Sequence, residues 1–177
     1  MKKLAILLVL LISPMIAMAQ NPFDKFENED DVSSVIVTKN MFKLLSTIDF
    51  ESDDPEVQDY KELVNSLNNI KIFTTDNPSV AKRMNDAVAG YVSGSGSLSE
   101  LMRVKEDDKN IKFYSKEGKN ENYVSELLMH MVGNVDGEKL SVIMSITGDI
   151  DLKKISKLTK DLNVPGSEEL KNLDKKN

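Results

Sequence analysis

The chain holds one histidine, His130, and no cysteine. A general base, an imidazole metal ligand or a nucleophile–histidine pair would have to use His130, and a thiol nucleophile is ruled out. His130 sits between Met129 and Met131 in an alternating stretch, with no carboxylate or second ligand at a fixed spacing, the setting of a sheet residue rather than a catalytic one. Asp149 and Asp151 follow an apolar strand as the aspartates of metal-dependent phosphotransfer enzymes do. The further polar residue of such a loop and a matching lysine or acidic cluster downstream are missing, and helix capping accounts for both aspartates. Asp53–Asp54 and Asp107–Asp108 lie in polar turns, where no burial raises a carboxyl pKa. The run Ser93-Gly94-Ser95-Gly96-Ser97 has no lysine and does not lead from a strand into a helix, so it reads as a connector rather than a phosphate loop. Glu27 to Asp31 lacks the spaced oxygens and turn glycine of a calcium loop. Met102, Met129, Met131 and Met144 could suggest a soft-metal site, but alternating strand positions make them core filler. Thus no catalytic, cofactor-binding or metal residue is named, no cofactor is expected, and the chain reads as a non-enzyme.

The elements around these residues follow from periodicity. Phe23 and Phe26 pin a short turn in the acidic lead-in 20–31. Val32 to Thr38 is β-branched and strand-like, and Met41, Phe42, Leu44, Leu45 and Ile48 fall at helical spacing. Asp49 to Asp54 breaks that pattern. Pro55 and Pro78 each open a helix at a position that loses no hydrogen bond, the first lined by Val57, Tyr60, Val64 and Leu67, the second by Val80, Ala81, Met84, Ala87, Val88 and Tyr91. Ile70 to Thr74 is a short strand between them. Leu98–Lys105, Ile111–Lys116, Tyr123–Val132 and Leu140–Thr147 alternate and are joined by turns too short for anything but antiparallel neighbours. Gly148 is expected to end the last strand, and Leu152, Ile155, Leu158 and Leu162 to form a helix over the sheet. The expected fold is α+β: a mainly antiparallel sheet with a C-terminal four-strand meander and helices packed on one face, in the order β-α-α-β-α-β-β-β-β-α.

Alternation divides the meander into two faces. The drier one collects Met102, Val104, Ile111, Phe113, Leu127, Met129, Met131, Leu140, Val142, Met144 and Ile146. The other collects Leu101, Arg103, Lys105, Lys112, Tyr114, Lys116, Glu126, Leu128, His130, Ser141 and Ile143. Cations beside aliphatics and an aromatic suit either a solvated face with ordinary lysines or a polar-rimmed contact. Leu101, Arg103, Lys105, Lys112, Tyr114, Lys116, Leu128, His130 and Ile143 are therefore the candidate binding face, and Leu128 and Ile143 decide it: they must face water for the face to be open.

Residues 1–19 have the plan of a cleaved signal peptide: Lys2 and Lys3, an apolar run from Leu4 to Ile12, and Ala17-Met18-Ala19 before Gln20. The run is shorter than the roughly 20 residues of a spanning helix, and no second one follows. An exported protein, periplasmic or extracellular, is expected, with no transmembrane segment after cleavage, no disulfide and no lipid-bearing cysteine. Residues 32–163 suffice for a single domain, followed by a polar, flexible tail over 164–177. The net charge of −6, more negative once Lys2 and Lys3 are removed, disfavours nucleic acid.

The blocks FDKFENEDDVSSVIVTKNMFKLL, SELMRVKEDDKNIKFYSKE and SVIMSITGDIDLKKISKLTK resemble the family catalogued as domain of unknown function 4252, small exported proteins of Bacteroidetes-type bacteria. The resemblance covers about residues 23–163. It implies an envelope location and gene neighbourhoods of envelope-stress sigma factors, which suggest a regulatory or accessory role, and it supplies no site residues. The expected function is that of a non-catalytic envelope protein binding another protein or a surface component. The alternatives are a small hydrolase or metal-dependent enzyme using scattered aspartates, and a periplasmic accessory of envelope-stress signalling.

Overall fold

A computed structural model describes residues 21–47, 55–95, 97–106, 108–135, 137–152 and 154. The signal-peptide region 1–19, the Asp49–Asp54 break, most of the expected C-terminal helix and the tail lie outside them. After a 3-10 turn, Asp24–Phe26, come β1 (Ser33–Thr38), α1 (Lys39–Thr47), α2 (Pro55–Ser66), β2 (Leu67–Thr75), α3 (Pro78–Ser95), β3 (Leu98–Lys105), β4 (Lys109–Glu117), β5 (Tyr123–Val135) and β6 (Glu138–Asp151). Leu152 and Lys154 are helical. The six strands form one sheet in the order β1-β2-β6-β5-β4-β3, every pair antiparallel. The α+β class and the element order are those read from the sequence.

The first face is the dry one. One cross-strand row runs Met102, Phe113, Met129, Met144, Ile72 and Val35, and the next Ser99, Ser115, Leu127, Ile146, Ile70 and Val37. Phe42 of α1 and Leu63 and Val64 of α2 pack onto these rows. Met129, Met131 and Met144 are buried there, as core filler should be.

The second face differs from the one-sided arrangement expected. Leu128 and Ile143 are 0% exposed and Tyr114 8%, packed with Phe73, with Val80, Met84 and Val88 of α3, and with Phe23 and Phe26. The reason is connectivity. β2 and β3 are four strand spacings apart, about 19 Å, and α3, of 18 residues, is about 27 Å long. It has to cross the sheet to join them, and the face it crosses becomes a second core. α1 and α2 link the neighbours β1 and β2 and lie on the first face. The helices are thus divided between two faces, and the open apolar platform built on Tyr114, Leu128 and Ile143 is withdrawn.

Two boundaries also moved. Leu67, expected to line α2, opens β2, and β6 runs through Gly148 to Asp151. Gly148 marks a close approach instead of a strand end. At φ +150 a Cβ there would come within 2.5 Å of the Ser66 carbonyl oxygen, beside the bulge at Leu67, which only glycine tolerates. Leu128→Ala should lower the unfolding free energy by about 2–5 kcal/mol, and Lys105→Thr, at an exposed position, by less than about 0.5 kcal/mol. Urea titration of both variants measures the contrast.

Candidate functional site

α3 starts beside Thr75 at the end of β2 and finishes beside Leu98 at the start of β3, so it crosses the second face on a diagonal and leaves two corners. Asn77 starts it: its Oδ1 accepts from the Ser79 and Val80 amides at 2.9 and 3.3 Å, satisfying donors that open the helix. The N-terminal turn fills one corner. Phe23 and Phe26 enter the core, Asn21 Nδ2 donates to Ser145 Oγ at 3.2 Å, and Lys71 pairs with Asp24.

Among the described residues, no helix or turn covers the other corner, over β3, β4 and β5. One row crosses the whole sheet as Arg103, Lys112, His130, Ile143, Phe73 and Ser34. Ile143 and Phe73 are buried under α3, while Arg103 and Lys105 are exposed and Lys112 half-exposed. Where the row emerges, Asn85, Asn110, Lys112, His130 and Val132 line a cleft of about 310 Å³. His130 Nε2 and Asn85 Oδ1 are buried and have no hydrogen-bond partner in the protein. Burial first, and then the charge of Lys112, push the imidazole pKa down to about 4, so His130 is neutral at ordinary pH. The cleft therefore offers an ammonium donor, a neutral imidazole and two side-chain amides, and none of the described residues that line it is a carboxylate. It can hold a polar or anionic group.

The nine residues of the expected face are thereby sorted. Arg103, Lys105, Lys112 and His130 meet at the open corner. Tyr114, Leu128 and Ile143 are core. Leu101 sits at the bulge where Glu100 pairs with Tyr114 and Met102 with Phe113, and it lines a separate hollow with Ser99, Ser115 and Tyr123. Lys116 lies beyond Tyr114, opposite Glu126 and away from the cleft. Arg103 pairs with Glu100 at 2.6 Å, a hydrogen bond that holds the carboxyl of Glu100 below its usual range. Sequence reasoning missed Asn85 and Asn110. Asn85 is four residues from Ala81 and three from Val88, on the flank of the α3 stripe, and that polar break was the available signal.

Under the C-terminal end of α3, Tyr91 donates to Glu126 Oε2 at 2.8 Å. Burial, then this hydrogen bond and the carboxylate charge, hold the phenol well above its ordinary pKa. Glu126 is 7% exposed, and the pair closes the inner polar end of the face.

Of the aspartates of the enzymatic alternative, Asp53, Asp54 and Asp107 lie outside the described residues, and Asp149 lies away from the cleft. Asp149 pairs with Lys119, whose ammonium is 3.8 Å from the Tyr123 ring centroid, and Lys154 pairs with both Asp59 and Glu62 at 2.9 and 2.7 Å. Hydrogen bonds to these carboxylates raise the pKa of both lysines. Among the described residues, no group of three or more histidine, aspartate or glutamate side chains is placed to share a metal ion.

A family model described as domain of unknown function (DUF4252) matches residues 26–158. The chain belongs to the DUF4252 family. Its match spans β1 through β6, so the sheet, the α3 crossing and the open corner all lie within the DUF4252 domain. No curated protein and no solved structure matches the chain. No helix among the described residues is long and apolar enough to cross a membrane.

The depressed imidazole has a measurable consequence. Its folded pKa, about 4, lies below the ordinary value near 6.5, so the unfolded chain takes up the proton first as pH falls. Stability from this group is intact above about pH 6.5 and declines toward about pH 4, by at most roughly 3 kcal/mol. Around it stand Lys112 on β4, Asn85 on α3 and Ile143 on β6. In denaturant titrations between about pH 7 and about pH 4, His130→Asn should lose less stability than the parent chain. Equal losses would show that the imidazole protonates freely when folded.

Proposed function

We propose that this DUF4252 protein is an exported, non-catalytic envelope protein that binds an acidic segment of another envelope protein at the corner formed by Arg103, Lys105, Lys112 and the His130 cleft. The observation that carries this reading is the gathering of three cations on a part of the second face that neither α3 nor the N-terminal turn covers, in a chain of net charge −6. A local positive field attracts acidic groups. Lys112 supplies the charge at the cleft mouth, Arg103 the guanidinium donors beyond the one given to Glu100, and the orphaned Asn85 and His130 atoms polar contacts deeper in. Export is supported by the N-terminal pattern of Lys2, Lys3 and Ala17-Met18-Ala19.

The test is fluorescence anisotropy with a labelled oligoglutamate peptide, paired with cross-linking in envelope extracts. The parent chain should bind in a salt-sensitive manner. Arg103→Glu with Lys112→Glu should weaken binding by about tenfold, since each charge contact contributes up to about 1 kcal/mol, while the thermal midpoint stays put. Binding that ignores both salt and the charge reversal would refute the acidic-partner reading.

A further inference from the structure

The sheet has two outer strands, and they are defended differently. β3 carries Glu100, Arg103 and Lys105 and is bent by the bulge at Leu101, the features that keep an edge from pairing with a foreign strand. β1, reading SSVIVT, has no charge, no proline and no glycine. It pairs with β2 from Ser33 to Thr38 without a break in register. Ser33, Ser34, Val35 and Thr38 are exposed. Four large apolar side chains are exposed among the described residues: Val35 of β1 at 49%, Met41 and Leu44 of the adjoining α1 at 45% and 60%, and Leu101 of β3 at 37%.

We propose that β1 joins two copies of this chain, as an antiparallel β1–β1 pair centred on Ile36 that makes the two sheets continuous. Strands related by a two-fold axis normal to the sheet keep each face on its own side, so a residue must oppose one of the same face. Centred on Ile36, that rule sets Ile36 against its own copy, Val35 against Val37 and Ser34 against Thr38. Apolar meets apolar and hydroxyl meets hydroxyl along the strand. Whichever alternate amides of β1 point away from β2, this register gives them partners.

Charge favours the same occupant and the same direction. Asp30 and Asp31 precede β1 and Lys39 follows it. Antiparallel pairing brings the acidic end of each copy toward Lys39 of the other, and parallel pairing would set like charge beside like. A strand of six residues falls short of the roughly 800 Å² per partner of a stable interface. α1 follows β1 directly, and Met41 and Leu44 extend the contact. This interface lies at the edge opposite the cationic corner and stands independently of the acidic-partner reading.

Sedimentation velocity over a concentration series tests the proposal on the purified chain. The parent should reach dimer mass. Val35→Lys should weaken the dimer at least about tenfold with an unchanged circular dichroism spectrum, and Leu101→Lys on the other edge should leave it intact. Because the chain has no cysteine of its own, single cysteines report the register. Ile36→Cys should cross-link to its own copy under mild oxidation, and more fully than Val35→Cys, whose copies are offset by two positions. A chain that stays monomeric, a dimer indifferent to Val35→Lys, or cross-linking that favours Val35→Cys overturns the proposal.

Discussion

The distance between the second and third strands governs this molecule. β2 lies next to the outer strand at one edge, β3 is the outer strand at the other, and the chain between them is a helix. Once β6 pairs with β2 along Leu67 to Thr75, the meander β3–β6 is placed between β2 and the far edge, and α3 has to span it. That crossing turns a sheet with one core into a three-layer structure. Leu128 and Ile143 become as inaccessible as Met129 and Met144. A helix that only returned to a neighbouring strand would have left them wet.

The two cores have different characters, and the difference matters for function. Under α1 and α2 the buried side chains are aliphatic, aromatic and methionine, a composition that packs densely and carries no chemistry. Under α3 an apolar band of Phe73, Met84, Val88, Leu128 and Ile143 is flanked by polar groups. Tyr91 and Glu126 bond to one another on one side, and Asn85 and His130 face the cleft on the other. Buried polar groups require partners, and groups without one in the protein are costly to desolvate. Such groups at the mouth of a cleft beside Lys112 set this corner apart from an ordinary solvated sheet face.

Electrostatics sharpens the contrast between the two ends of the sheet. Near Asp149 and Asp151, acids and lysines alternate and neutralise one another, as surface ion pairs that contribute little stability. At the Arg103 corner Arg103, Lys105 and Lys112 stand with Glu100, and Glu106 and Asp108 follow Lys105 in the turn to β4. Burial keeps His130 uncharged there, so the positive charge comes from the lysines and the arginine at the rim. Across the sheet, β1 presents hydroxyls and aliphatics with no charge, so the two edges differ in chemistry as well as in shape.

Much of the fold was legible in the residues. The β3 limits, the helix starts at Pro55 and Pro78, the split of the meander into faces and the burial of Met129, Met131 and Met144 all follow from proline's fixed geometry and side-chain periods of two and 3.6, which are local properties of the backbone. The burial of Phe23 and Phe26 could be read because no other large apolar group serves that acidic segment. Strand limits beyond Thr147 were misread, because Gly148 looks the same in sequence whether it ends a strand or admits a neighbouring backbone. Only tertiary structure decided what covers the second face. Leu128, Ile143 and Tyr114 alternate with the dry positions in either case. Their burial depends on the pairing of β2 with β6, strands about 70 residues apart, and on the diagonal that pairing imposes on α3. The sequence by itself determined the elements and their two faces, and the long-range strand order determined which part of the second face remained open to a partner.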